Sequence, residues 1–565
     1  MAAAGLSGPN GRMSSRIAVA ALWMSLPLVG CGGSTESTPE PTDGGVNDVA
    51  GDDGVSDTVA ETGECPVSTS PAPGLVITDR GAVQGAEAGA TWSFKNIPYA
   101  APPVGALRWK PTQRAACWTG VRPATSWGTV CPRLGKDGSG VFEGDEDCLQ
   151  LNVWTPKDAS KGPLPVMVWI HGGGHQVGSA VEETNGVRIY DAQRFVERAG
   201  VVVVTINYRL GALGFLAHEK LGAENADKAS GAYGSLDQIE ALRWVQRNAK
   251  AFGGDASKVT VFGESAGGAA ICTLVASPLS SGLFQRAIMQ SGGCPSRKLA
   301  DAQTFGAQVF GAAKCETAAD PVACMRALPA KDVVSALPIG VDVAGANRGY
   351  TNVVDGVVLP DASFDRIAAG KHNKVPWIVG TMSDETSRSV PLARTATAAE
   401  YEAAVRKLFA AVADAVLAQY PASDYPSPWH AYVQMTSDAK FVCGARKALR
   451  TAAAAGTAGL FRYSMSRPIE GPLVKPFGAW HGLDVLFVFD HLDIAGYTPN
   501  TGDKQLVADV EGYFGRFAAT GDPNGGGAFS WPSWDTSDPY VLLDEPLTAA
   551  KGLRAKQCDF WDTLL

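Results

Sequence analysis

Two short segments of this 565-residue chain combine residue types that could do covalent chemistry. In one, Val259, Thr260, Val261 and Phe262 run into Gly263, Glu264, Ser265, Ala266 and Gly267, and Gly268, Ala269 and Ala270 follow. That is the order of a strand, a tight turn and a helix. Glycines on both sides of the serine allow an elbow sharp enough to push the hydroxyl out at the sheet edge, over the positive end of a helix. In this setting a nucleophile is the stronger reading of Ser265 and a plain turn the weaker. Upstream, the apolar run Val166 to Ile170 ends in His171, Gly172, Gly173, Gly174 and His175. Without side chains in the way, the Gly173 and Gly174 amides can approach a substrate oxygen. With the amide of Ala266 they would form an oxyanion hole, in which one donor is worth roughly 3 kcal/mol. His171 and His175 are not expected to bind a metal, because a triple-glycine loop is not a helix and no Glu lies between them.

Positioning these segments requires a scaffold, and the surrounding pattern describes one. Short β-branched runs (Val166 to Ile170, Val201 to Ile206, Val259 to Phe262, Ala287 to Met289, Val375 to Val379) alternate with helical stretches. Such alternation predicts an α/β fold with a buried, mostly parallel sheet and helices on both faces. Ser235 to Ala251 spaces Ile239, Leu242 and Val245 at helical intervals before Gly253 and Gly254, and reads as a sheet-covering helix. Ala398 to Tyr420 reads as another, with Val405, Phe409, Val412 and Val416 on one stripe. No repeat or composition break interrupts residues 65 to 565, which reads as one large catalytic domain with insertions.

The N-terminal part has a different character. Arg12 and Arg16 precede an apolar run from Ile17 to Val29 that is too short to span a bilayer, and Gly30 and Cys31 follow. Residues 1–31 therefore read as an export signal ending in a lipobox-like site, with Cys31 as the lipid anchor. Translation could start at Met1 or at Met13. Residues 32–64 hold nine acids and no base among Gly, Ser, Thr and Pro, a composition that predicts a disordered acidic linker. Asp52 and Asp53 lack the ligand pattern of a calcium loop. The chain has 48 basic and 57 acidic side chains, so it is not a basic nucleic-acid binder, and most of the acidity belongs to the linker. Eleven Cys, one of them Cys31, leave an even number for disulfides in an exported protein, and no Cys-x-x-Cys pair suggests zinc or a redox site. The expected location is the bacterial cell envelope as a lipoprotein, or otherwise the exterior.

The longer motifs carry a family resemblance. Glu146 to Val153, the His-Gly-Gly-Gly loop, Asn207 to Gly211, Gly214 to Leu216, Asp237 and Gln238, Phe252 to Asp255, the Ser265 elbow, Gly521 to Asn524 and Cys558 to Trp561 occur in one order. The chain resembles the type B carboxylesterases, α/β-hydrolases that include cholinesterases, some lipases and bacterial esterases. The resemblance implies an α/β-hydrolase fold and hydrolysis of carboxylic esters through an acyl-enzyme, with no cofactor or metal and a small-molecule ester as substrate; the oligomeric state is left open, and a membrane is a partner only through the lipid anchor at Cys31.

It also implies roles for further residues. Among the seven His, His481 in Trp480, His481, Gly482, Leu483, Asp484 matches the family's base, and Glu385 in Ser383, Asp384, Glu385, Thr386 matches its acid, with Asp384 as the alternative. Thr386 replaces the usual Gly. Glu264, Ser291 and Asp484 match positions that support the triad, Asp484 standing where relatives usually have Glu. The family pattern pairs Cys131 with Cys148, Cys315 with Cys324, and Cys443 with Cys558. Cys65 with Cys117 and Cys272 with Cys294 are open pairings, a free buried Cys272 being the alternative. The segment between Cys131 and Cys148 contains no Trp, which argues against choline esters, and His175 stands where relatives often have Phe. A lipase, or an amide or carbamate hydrolase, would use the same residues. A non-catalytic binding module would be expected to lack one of them.

Overall fold

Alternating side chains divide the central strands between two cores, and this division builds the molecule. In a computed structural model describing residues 65, 69–135, 140–158, 162–338, 349–471 and 475–564, eleven strands form one sheet. In chain order they are β1 (Ala86–Ala88), β2 (Thr91–Pro98), β3 (Gln150–Pro156), β4 (Leu164–Ile170), β5 (Val202–Ile206) and β6 (Gly254–Glu264). Then come β7 (Arg286–Gln290), β8 (Trp377–Met382), β9 (Leu460–Met465), β10 (Pro539–Leu543) and β11 (Thr548–Lys551). Their spatial order is β11, β10, β9, β8, β7, β6, β4, β5, β3, β2, β1. From β5 through β10 every pairing is parallel, and the strands outside that block pair antiparallel.

Val166, Val168 and Ile170 of β4 enter one core, and Met167 and Trp169 the other. The same period of two sends Val202, Val204 and Ile206 to one side and Val203 to the other. A strand buried on both faces therefore reads as a continuous apolar run.

The helices that matter to the site are α1 (Tyr233–Asn248), α2 (Ala266–Ala276), α3 (Ala398–Phe409), α4 (Ala413–Gln419), α5 (Pro428–Ser437), α6 (Cys443–Ala454) and α7 (Leu483–Val488). The single helix expected over 398–420 is two helices. Ala410, at φ 42° and ψ −105°, leaves helical space, and a 3₁₀ turn separates the pieces. The stripe survives the break, because Val405, Phe409 and Val416 remain buried with Tyr432, Met435 and Trp561 in a separate small core. The strand expected to start at Val375 begins two residues later, at Trp377.

Five disulfides join Cys65 to Cys117, Cys131 to Cys148, Cys272 to Cys294, Cys315 to Cys324, and Cys443 to Cys558. Cys272 is thus bonded rather than free. So many bridges are the mark of an exported or extracellular protein. Among the described residues no helix is long and apolar enough to cross a membrane. The expected signal, the linker and Cys31 all lie outside the described residues.

Candidate active site

Parallel strands place their carboxyl ends on one side of the sheet, where an open α/β sheet presents its crevice. The loops after β4, β6, β7, β8 and β9 all leave from this side, and they carry the residues singled out above. Ser265 sits between β6 and α2 with φ 58° and ψ −121°, a conformation that costs a non-glycine residue roughly 1–3 kcal/mol. The surroundings enforce it. The Ser265 amide donates to the Gln290 carbonyl of β7 at 2.9 Å, and its own carbonyl accepts from Ala269 at 2.9 Å in the first turn of α2. Gly267 is required because a Cβ there would come within 2.0 Å of the Ile170 carbonyl at the end of β4.

That close approach brings the triple-glycine loop over the elbow. A Cβ on Gly172 would lie 3.0 Å from the Ser265 Cβ and 2.8 Å from Glu264 Oε2. Gly173 and Gly174 have φ values of 102° and 63°, in the left-handed region that favours glycine, and a Cβ on Gly173 would come within 2.3 Å of the Val177 carbonyl. The amides of Gly173, Gly174 and Ala266 donate to no acceptor among the described residues, so three N–H groups are available near the serine.

His481 lies on the turn before α7, with its Nδ1 2.6 Å from Glu385 Oε2. Glu385 is 1 % exposed, and its Oε1 accepts the Met382 amide at 2.9 Å. The His481 amide donates to the Glu385 carbonyl at 3.1 Å, so backbone and side chains both couple the two loops. The neighbouring Asp384 faces elsewhere: its carboxylate accepts the Ser383 hydroxyl at 2.6 Å and the Ala479 amide at 3.2 Å. The Thr386 hydroxyl bonds to the Thr436 hydroxyl at 2.6 Å and the Val433 carbonyl at 3.0 Å, pinning the Glu385 turn to α5.

The far ring nitrogen of His481 is buried and makes no hydrogen bond. Glu264 Oε1 approaches it to 3.1 Å, in a direction unsuited to a hydrogen bond. Burial by itself would push His481 down, but the nearby Glu264 and Glu385 carboxylates outweigh it and raise the group to about 9. Burial raises Glu264 to about 8 against the pull of His481. Each of the two groups is therefore displaced upward from its ordinary value, the imidazole by the carboxylates around it and the carboxyl by burial.

Asp484, in the first turn of α7, is also raised by burial. Its Oδ2 accepts from Gln290 Nε2 at 2.9 Å and from the Tyr463 hydroxyl at 2.7 Å, so a short carboxylate is met by donors from β7 and β9. Ser291 is fully buried at φ 45°, but its hydroxyl bonds to neither Asp484 nor Glu264. Two neighbours of the site had no signal in the sequence. Tyr463 reads as an ordinary strand residue, and Phe441, whose ring is 4.5 Å from that of His481, lies on a π-helical turn (Asp438–Val442) between α5 and α6.

The remaining histidines do not join this group. Burial lowers His171 to about 4 and His175 to about 3. His171 stacks on Tyr208 at 4.4 Å, and His175 packs on Phe215 at 4.5 Å with both ring nitrogens unpartnered. Among the described residues no group of three His, Cys, Asp or Glu is arranged to hold a metal.

The sequence model of the Carboxylesterase family matches residues 72–561. The chain is similar to fumonisin B1 esterase of Sphingopyxis macrogoltabida, 35% identical over 495 residues covering 84% of this chain and 87% of that one. It is also similar to para-nitrobenzyl esterase of Bacillus subtilis (strain 168), 33% identical over 493 residues covering 84% and 95%. Among solved structures, a PNB esterase superposes with a TM-score of 0.74 at 30% identity over 87% of this chain and 100% of that one. A thermophilic PNB esterase gives 0.75 at the same identity and the same coverage of both chains.

Proposed function

The chain belongs to the carboxylesterase family and hydrolyses carboxylic esters, and from that premise we propose that its nucleophile is Ser265, its general base His481 and its orienting acid Glu385. The observation that carries this assignment is the 2.6 Å contact between His481 Nδ1 and Glu385 Oε2, which leaves the opposite nitrogen without a hydrogen bond beside Glu264 of the serine elbow. A serine hydroxyl is a weak nucleophile until a base takes its proton.

In the acylation step Ser265 Oγ bonds to the ester carbonyl carbon while His481 Nε2 takes the hydroxyl proton. Charge on the carbonyl oxygen is received by the Gly173, Gly174 and Ala266 amides. The carbon–oxygen bond to the alcohol then breaks, and His481 returns its proton to the leaving alcohol. Water, deprotonated by the same imidazole, cleaves the acyl-enzyme and frees the acid and the serine. Glu385 keeps the Nδ1–H tautomer in place and stabilises the imidazolium in both halves. Glu264 and Asp484 support the base electrostatically, and the hydroxyl of Ser291 is free to bond to a bound molecule.

The test is a p-nitrophenyl ester panel, acetate through palmitate, assayed with residues 65–565 and with Ser265→Ala of matching thermal stability. Turnover should vanish in the variant on every ester, and undiminished turnover would sink the assignment. The chain-length optimum separates esterase from lipase. We further propose that residues 1–31 form the export signal, that 32–64 is a flexible tether, and that Cys31 carries lipid. Metabolic labelling with palmitate, lost in Cys31→Ala, is the expected result.

A further inference from the structure

The loop that follows Glu385 and the loop that leads into His481 are laced together. Asp384 N–H donates to the Ala479 carbonyl at 3.0 Å, and the Ser387 hydroxyl donates to the Phe477 carbonyl at 2.6 Å. On this paired surface lie two arginines. Arg388, three residues past Glu385, is exposed, with its guanidinium 5.2 Å from the ring centre of Trp480 and 6.0 Å from that of Phe477. Arg394, also exposed, is 4.2 Å from Trp429 and 4.7 Å from Phe477, and it donates to the Pro476 carbonyl. Phe477 thus lies beside both cations, and Trp480 is the residue next to His481.

Most buried guanidiniums of the protein have their charge met by a carboxylate. Arg446 and Arg462 both reach Asp538, Arg209 reaches Asp237, and Arg133 reaches Glu182. Arg388 and Arg394 have no carboxylate partner among the described residues. The adjacent acid, Asp384, is committed to Ser383 and Ala479. A guanidinium already resting beside aromatic rings has part of its freedom restricted before binding, and its fork of N–H donors matches a carboxylate. Two such groups without an anion, on the segment that follows the acid and against the loop that leads into the base, give that side of the molecule an unbalanced positive charge.

We propose that Arg388 is a specificity-determining residue that receives a free carboxylate carried by the ester substrate, with Arg394 reinforcing the positive potential. This deepens the esterase reading and rests on it. The preferred substrate class is then a monoanionic ester, such as the half-ester of a dicarboxylic acid or an ester of a hydroxy acid.

Monoethyl adipate and diethyl adipate, followed by pH-stat, place the charge on the acyl side, while acetylsalicylate and phenyl acetate place it on the alcohol side. Arg388→Ala should lower kcat/KM for at least one charged member by about tenfold or more, mostly through KM, with its neutral partner changed less than about threefold. Arg388→Lys should restore part of the difference, and added salt should erode it in the wild type but not in Arg388→Ala. Equal effects on charged and neutral members of both pairs, in a variant of unchanged thermal stability, would overturn the proposal. Ser265→Ala separates the two levels of argument. If it keeps turnover, the triad assignment fails, whereas if it is inactive and Arg388→Ala shows no charge discrimination, only the present inference fails.

Discussion

Replacing Glu264 by Gln should move the pH dependence of the reaction to lower pH. The Glu264 carboxylate is 3.1 Å from His481 Nε2, and it is the largest influence that raises the imidazole, which stands at about 9 despite burial. Two full charges at that separation interact by about 5 kcal/mol at an effective dielectric of about 20, equivalent to about 4 pH units. Glu264 does not carry its full charge near neutrality, because burial raises it to about 8. The expected shift is therefore a fraction of that ceiling, about 1 unit or more. The sign follows from the chemistry. His481 must be unprotonated to act as base, so kcat/KM rises as pH passes through its pKa, and removing an anion lowers that pKa. Gln keeps the shape of the buried side chain while abolishing its charge. Profiles of kcat/KM for p-nitrophenyl butyrate between pH 5 and 10, corrected for spontaneous hydrolysis, should show the rising limb displaced downward and the plateau changed by less than about tenfold. A limb that stays within about 0.2 unit of the wild type, or moves upward, would refute the electrostatic coupling.

Glu385→Gln should be far more damaging, because it removes a charge-assisted bond of 2.6 Å and the tautomer it fixes. We expect kcat to fall about 10³-fold or more with KM within a few-fold, measured on the same ester. His175→Phe should stabilise the protein by about 1–2 kcal/mol in urea unfolding, since both ring nitrogens are buried without partners beside Phe215 and Tyr208, and a phenyl ring has no polar atom to desolvate. A lower midpoint for that variant would mean that the imidazole has a hidden partner.

What the sequence determined about this protein is its local machinery. The Ser265 elbow and the Gly173–Gly174 loop are contiguous, and each depends on backbone conformations that few residue types tolerate, so composition and spacing reveal them. The double-faced strands are legible for the same reason: burial on both sides demands unbroken apolar runs such as Val166 to Ile170. The break at Ala410 was not legible, because an alanine there satisfies helix propensity and nothing in its neighbours marks a stop. The residues themselves left Asp384 and Glu385 open and only the resemblance favoured Glu385; the tertiary structure brings Glu385 to the imidazole and turns Asp384 to Ser383 and Ala479. It also supplied Tyr463 to the shorter Asp484, Phe441 to His481, and Thr436 to Thr386. Those contacts join segments distant in the chain, and they exist because parallel strand register sets the loops at one edge of the sheet, a constraint that no single stretch of sequence encodes.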